Sequence, residues 1–112
     1  MGKLNGQVAI ITGGARGIGE GICKVFCNEG AMVALWDIMD EGQNTADRIK
    51  DEGGEIIFQK VNVSDQSSVD KAVEELIREY GKIDILINNA GIIRDRSFLK
   101  MSRDEWDRVI DV

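Results

Sequence analysis

Residues 7–19 read Gln-Val-Ala-Ile-Ile-Thr-Gly-Gly-Ala-Arg-Gly-Ile-Gly. The run from Gln7 to Thr12 is apolar and rich in β-branched residues, which suits a strand buried on both faces. A glycine cluster follows, and Ile18, Ile22, Val25 and Phe26 then recur at helical spacing, with Gly30 placed to close the helix. Glycines at a strand-to-helix turn let the backbone approach a ligand, and the helix start offers N–H groups and a positive dipole end to a pyrophosphate. The spacing departs from the common G-x-G-x-x-G fingerprint, because Ile22 stands where a third glycine would follow Gly17 and Gly19. It is not a P-loop either, since Glu20 follows Gly19 where a lysine is required. A tight turn that holds no ligand is the bland alternative.

Outward from this stretch, strands and helices alternate. Ala31 to Trp36 is a second buried-type strand that ends at Asp37. Asp40 to Glu52 reads as a polar, exposed helix with Ala46 and Ile49 as its few apolar contacts, closed by Gly53-Gly54. Glu55 to Val63 is the third strand, and Ser64 or Asp65 can cap the next helix. That helix carries a stripe of Val69, Ala72, Val73, Leu76, Ile77 and Tyr80, and Gly81 ends it. Ile83 to Ile87 is the fourth strand, followed by Asn88-Asn89-Ala90-Gly91. A capping box at Ser102-Arg103-Asp104-Glu105 opens a last helix with Trp106, Val109 and Ile110 on one face. The alternation predicts an α/β fold with a parallel sheet and right-handed crossovers.

The 112 residues are one domain's worth of chain. With 43% hydrophobic and 30% charged residues, the composition is globular. Fourteen basic against 20 acidic residues give a charge of −6, which offers no footprint for nucleic-acid phosphates. Histidine is absent, which removes Ser-His-Asp and Cys-His catalysis and histidine metal sites. Cys23 and Cys27 lack two further ligands nearby, so no metal site is expected, and they read as reduced thiols beside a helix core in a cytoplasmic protein. No apolar run has the length of about 18 residues that spans a membrane, and the start of the sequence, which leads straight into the first strand, carries no expectation of a secretory signal.

Asp37 sharpens the functional reading. It closes the second strand 24 positions beyond Gly13, near the spacing of about 20 for an acid that holds an adenosine ribose. A carboxylate accepts from the ribose 2′- and 3′-hydroxyls and repels a 2′-phosphate. The alternative is a solvated aspartate at a strand end. Gly17-x-Gly19-x-Gly21 also resembles the motif of S-adenosylmethionine methyltransferases, but those usually carry an acid at the end of the first strand, where this chain has Thr12.

Thr12-Gly13-x-x-x-Gly17-x-Gly19 resembles the T-G-x-x-x-G-x-G motif of the short-chain dehydrogenase/reductase family, and Asn88-Asn89-Ala90-Gly91 resembles its N-N-A-G motif. With Asp37 between them, the matches cover essentially the whole chain. Within the family, Gly13 to Gly19 with Arg16, Asn62-Val63, and Gly91 to Arg96 running on to Met101 and Trp106 look most like 3-oxoacyl-thioester reductases. The resemblance implies a Rossmann-type three-layer α/β/α fold with strand order 3-2-1-4, a truncated form of a larger sheet. It implies that residues 1–112 are the dinucleotide-binding N-terminal part of a longer reductase.

It also implies roles. Thr12 belongs to the motif, and Gly13, Arg16, Gly17, Ile18 and Gly19 would line the diphosphate and nearby ribose. Asp37 would take the adenosine ribose, with Ile38 beside the adenine. Asn62 and Val63 would contact adenine, Asn62 through its amide oxygen. Asn89, Ala90 and Gly91 would approach the cofactor's ribose side; a turn held by side-chain-to-backbone bonds is the plain reading of the same pair. NADP users generally carry a neutral or basic residue near position 37, and Arg16 is common among them. At an effective dielectric near 20, however, two unit charges about 4 Å apart interact by about 4 kcal/mol, roughly a thousandfold in affinity. NAD is therefore the expected cofactor.

The family's acid-base group is a Tyr-x-x-x-Lys pair. Here the one tyrosine, Tyr80, has Asp84 four residues on and lies on an apolar stripe, so it reads as packing. The expectation is a chain with no catalytic residue of its own, which binds a dinucleotide without turning over a ketone. A raw edge at the fourth strand or the Trp106 helix would favour a homodimer. A non-catalytic, self-associating Rossmann-like module is the competing reading, and an S-adenosylmethionine-binding domain a distant third.

Overall fold

The structure, a computed structural model, describes residues 2–89. In chain order these form β1 (Val8–Thr12), α1 (Gly17–Asn28), β2 (Met32–Asp37), α2 (Glu41–Asp51), β3 (Glu55–Lys60), α3 (Gln66–Tyr80) and β4 (Ile85–Ile87). The strands make one sheet in the order β3-β2-β1-β4. Each neighbouring pair is parallel, with Val8 opposite Met32, Ala9 opposite Ile85 and Met32 opposite Glu55. The expected α/β class and strand order are what the structure shows.

The central strands are apolar up to their last residues, Thr12 and Asp37, because both of their faces are covered. One face sends Ile10, Ala34 and Trp36 into a core with Val69, Ala72, Val73 and Leu76 of α3. The other sends Ile11, Val33 and Leu35 against Cys23 of α1 and Ala46 and Ile49 of α2. The result is three layers. Trp36, fully buried, donates its indole N–H to Gln59 Oε1 at 2.7 Å, and Gln59 Nε2 donates to the Ala72 carbonyl at 3.1 Å. That relay ties β2, β3 and α3 together and satisfies the indole's one donor. Tyr80 packs at the margin of the same core, as its stripe position predicts.

Helix ends follow the glycines. Beyond α1, Gly30 N–H donates to Cys27 O at 3.0 Å and Ala31 N–H to Phe26 O at 3.1 Å. Beyond α2, Gly53 N–H donates to Lys50 O at 2.9 Å and Gly54 N–H to Ile49 O at 3.0 Å. Both are Schellman closures. Asp65, rather than Ser64, caps α3, accepting from Ser67 N–H at 3.0 Å.

Four details differ from the sequence reading. β4 begins at Ile85 rather than Ile83, because the Asp84 side chain takes the Val8 N–H at 2.8 Å in place of a backbone carbonyl. β3 ends at Lys60 rather than Val63, because Asn62 turns the chain: its Oδ1 accepts from Ser64 N–H and its carbonyl from Asp65 N–H. On α1, Ile18 and Val25 are 77% and 57% exposed, and the buried face is carried by Gly19 and Cys23. α2 is less exposed than its composition suggests, burying Gly42, Thr45, Ala46 and Ile49 on one face. The helix expected from Ser102 lies outside the described residues.

Both cysteines are unpaired thiols. Burial pushes the Cys23 thiol up to about 12 and the Cys27 thiol up to about 11, from an ordinary 9.0. An unfolded chain therefore ionises its thiols first as pH rises, so their contribution to stability is whole below pH 9.0 and falls away above it. At pH 8 an aromatic disulfide reagent should label neither cysteine promptly in the native chain and both in denaturant. Prompt native labelling would contradict the buried placement of Cys23.

Candidate functional site

The groups singled out from the sequence gather beyond the C-terminal ends of the strands. β1 leads into the glycine turn, β2 ends in Asp37, β3 leads to Asn62 and β4 leads to Asn89. In an open parallel sheet this is the edge where ligands bind, at the point where the strand order reverses. Here the order reverses between β1 and β4.

The turn itself is tightly held. Gly13 donates to the Trp36 carbonyl at 2.7 Å, which ties the turn to β2. Gly17 opens α1 at φ +64, a left-handed value that disfavours any side chain. At Gly19 the constraint is space: a Cβ would stand 2.0 Å from Gly13 O and 2.6 Å from Asn89 Nδ2. The backbone is thus bare at this place because a neighbouring segment fills the room. Arg16, in extended conformation, precedes the helix, and Glu20 N–H makes the first helical bond to Arg16 O at 3.4 Å. The N–H groups of Gly17, Ile18 and Gly19 form the first turn of α1, where amides lack intrahelical acceptors and the dipole favours an anion.

Asp37 faces this turn. Its Oδ2 accepts from Ala15 N–H at 3.1 Å and its Oδ1 from Met39 N–H at 3.0 Å. Further lone pairs remain on both oxygens for hydroxyl donors. A cavity of about 380 Å³ opens beside it, lined by Gly13, Asp37, Ile38, Asn62 and Val63 from the sequence reading and by Trp36, Met39, Val61 and Ser64 in addition. Ile38 is 60% exposed at its rim. The Asn62 oxygen assigned to adenine by resemblance already accepts from Ser64 N–H at 3.0 Å, so one lone pair is spoken for.

Thr12 and Asn89 pin β4 to the turn. Thr12 is fully buried. Its hydroxyl accepts from Asn89 N–H at 2.9 Å and lies 3.2 Å from Asn88 Oδ1 as donor. Asn89 Nδ2 donates to Gly13 O at 3.3 Å. Arg16 reaches outward to Met39 Sδ at 3.6 Å and Glu41 Oε1 at 3.8 Å, both beyond β2. Ala90 and Gly91 lie outside the described residues. Among the described residues no group of acids and cysteines could hold a metal ion, and no helix is long and apolar enough to cross a membrane.

Thr45 went unnoticed in the sequence. Its buried hydroxyl donates to the Ala15 carbonyl. The signal was the spacing of Gly42, Thr45, Ala46 and Ile49, three and four apart, which marks one helix face.

A parallel sheet of this order with a glycine turn at its switch point defines a Rossmann-type α/β unit. The chain belongs to the short chain dehydrogenase family, whose profile matches residues 7–112. It is therefore related to oxidoreductases that use a nicotinamide cofactor. It is similar to the 3-oxoacyl-[acyl-carrier-protein] reductase FabG of Chlamydia muridarum, 44% identical over 110 residues that cover 96% of this chain and 44% of that protein. It is similar to the oxidoreductase UcpA of Salmonella typhimurium, 46% identical over 112 residues, 100% of this chain and 43% of that protein. Among solved structures, a hydroxysteroid dehydrogenase from Escherichia coli superimposes with a TM-score of 0.73 at 34% identity, covering 76% of this chain and 37% of that one. The chain thus spans less than half the length of the curated relatives it matches.

The Asp37 geometry makes a test. Asp37→Asn removes one acceptor, leaving either the Ala15 or the Met39 N–H unpaired beside the cavity. Without any ligand the variant should lose about 1–3 kcal/mol in urea unfolding. An unchanged ligand-free stability would show that these amides do not depend on the carboxylate.

Proposed function

We propose that this chain is the NAD(H)-binding portion of a short-chain ketoreductase of the 3-oxoacyl-thioester type, residues 1–112 being the dinucleotide-binding part of a longer cytoplasmic enzyme. One observation carries the reading: an aspartate at the end of β2 holds the glycine turn and lines the cavity shared with Asn62 and Val63. The charge of a diphosphate suits the first-turn amides of α1, which Gly17 opens. Asp37, with lone pairs to spare, would accept from the adenosine ribose hydroxyls. Ile38, Asn62 and Val63 would flank the adenine, while Asn89, Ala90 and Gly91 would lie toward the other ribose. Thr12 would set Asn89 in place.

The charges beyond β2 support NAD over NADP. Asp37, Asp40 and Glu41 stand there against Arg16 and Lys60. Arg16 is already turned toward Glu41, and Lys60 meets Asp40 at 2.9 Å, so a 2′-phosphate would meet a net negative rim. The bound nicotinamide would supply the hydride chemistry. Proton delivery would require a group this chain does not contain, since its one tyrosine, Tyr80, packs against the core and is followed by no lysine at the fourth position. The chain of 112 residues alone should therefore bind the cofactor without reducing a ketone.

Calorimetric titration with NADH, NADPH and S-adenosylmethionine tests the reading. NADH should bind, NADPH at least about tenfold more weakly, and S-adenosylmethionine not at all; acetoacetyl-CoA should not be reduced. Preference for NADPH would overturn the cofactor assignment, and binding of S-adenosylmethionine in place of NADH would overturn the reading entirely.

A second reading concerns association. β4 is hydrogen-bonded to β1, and its Ile85, Leu86 and Ile87 are half-buried. Pairing of two copies along this strand would cover apolar surface and satisfy edge groups. Light scattering at micromolar concentration should then give the mass of a dimer, and a sharp monomer mass would remove this reading.

A further inference from the structure

We propose that Thr45 is a positioning residue for the diphosphate of the dinucleotide, acting from α2 through the Ala15 peptide, with Arg48 behind it. The inference rests on the reading that the glycine turn cradles that group. Thr45 is 1% exposed, so it touches no ligand. A threonine within a helix ordinarily points its hydroxyl to solvent or back to the preceding turn of its own helix. Here the hydroxyl donates to the carbonyl of Ala15, 30 residues away on the glycine turn. Its oxygen accepts in return from Arg48 Nη2 at 3.3 Å, and the same nitrogen meets Glu20 Oε2 at 3.1 Å. Glu20 belongs to the first turn of α1.

The consequence is geometric. Ala15 lies between two glycines with left-handed backbone, Gly13 at φ +66 and Gly17 at φ +64. Glycine is the residue whose backbone is least confined by itself. Yet Ala15 is anchored at both polar atoms, its N–H by Asp37 at 3.1 Å and its C=O by Thr45. The direction in which the following amides point is therefore fixed by two flanking elements, β2 and α2. Arg48 and Glu20 in addition join α2 to the first turn of α1. Preorganised donors bind an anion without first losing the freedom of a loose loop. Asp37 would also touch the adenosine ribose, which confounds its substitution as a test of this anchoring. Thr45 isolates it.

The experiment uses the 112-residue chain, its Thr45→Val, Thr45→Ser and Arg48→Met variants, and two probes. ADP-ribose carries the diphosphate; adenosine occupies the cavity beside Asp37 without it. Affinities are read by calorimetry for ADP-ribose and by NMR titration for adenosine, with the melting temperature measured for each variant. Thr45→Val should weaken ADP-ribose by about tenfold, the worth of one lost hydrogen bond. Adenosine binding should not change, and Thr45→Ser should restore the ADP-ribose affinity. Arg48→Met should weaken ADP-ribose by a smaller factor, about threefold, and it decides the matter if the valine variant does not fold. Equal ADP-ribose affinity in the parent and the folded variants would overturn the proposal. So would a parallel loss for adenosine and ADP-ribose, which is the mark of a general structural role. Failure of the parent chain to bind either ADP-ribose or NADH is a different result: it overturns the cofactor reading, and the inference with it.

Discussion

A single carboxylate at the end of β2 joins the two halves of the site. Asp37 accepts from Ala15 N–H on the glycine turn and from Met39 N–H on the loop that leads to α2. A carboxylate can accept from two backbone amides at once, one on each oxygen. Together with the Gly13 N–H bond to the Trp36 carbonyl, this acceptor ties the turn after β1 to the loop after β2. With it, the cavity wall between Gly13 and Met39 is one piece. A carboxylate in this role need not be idle toward ligands, because each oxygen retains a lone pair after its amide is satisfied. Scaffold and recognition are thus compatible in one side chain.

The same economy recurs across the site. Thr12 has no exposed surface, yet it connects β1 to the segment after β4. Asn89 spends its amide on Gly13, and Asn62 spends its oxygen on Ser64. Polar residues that resemblance to a family marks as ligand contacts are here engaged first with backbone. A motif of this kind is preserved in shape by its own hydrogen bonds. Membership of the short chain dehydrogenase family fits this geometry.

Much of the architecture was legible because burial on both faces leaves a plain trace. Val8 to Ile11 and Met32 to Trp36 are uninterrupted apolar runs, and the order of strands is what resemblance to the family implied. The glycines that close α1 and α2 were equally plain. What escaped were substitutions of side chain for backbone. Asp84 stands in for a carbonyl and so shortens β4; Asn62 bends the chain and so shortens β3. Neither leaves a periodic signature. On α1, exposure of Ile18 and burial of Gly19 invert the expectation from hydrophobicity, because close approach to Gly13 and Asn89 admits no side chain. The ring of residues around Asp37 was foreseen in Gly13, Ile38, Asn62 and Val63. Thr45 was not: its spacing with Gly42, Ala46 and Ile49 marks a buried face, but its partner, the Ala15 carbonyl, lies 30 residues earlier.

The short closures after α1 and α2 have a bearing on how the chain assembles. β1 to β2 and β2 to β3 are joined through helices with three-residue returns, Glu29–Ala31 and Glu52–Gly54, so each pairing closes a modest loop. The pairing of β1 with β4 spans far more chain: Thr12 and Asn89 are 77 residues apart. Loop entropy grows slowly with length but is greatest for this contact, and contacts distant in sequence are the slow ones to form. The pairing of β1 with β4 is accordingly expected to form after those of β1 with β2 and β2 with β3. The bonds of Thr12 and Asn89 then act as a latch that holds β4 against β1 once it has docked.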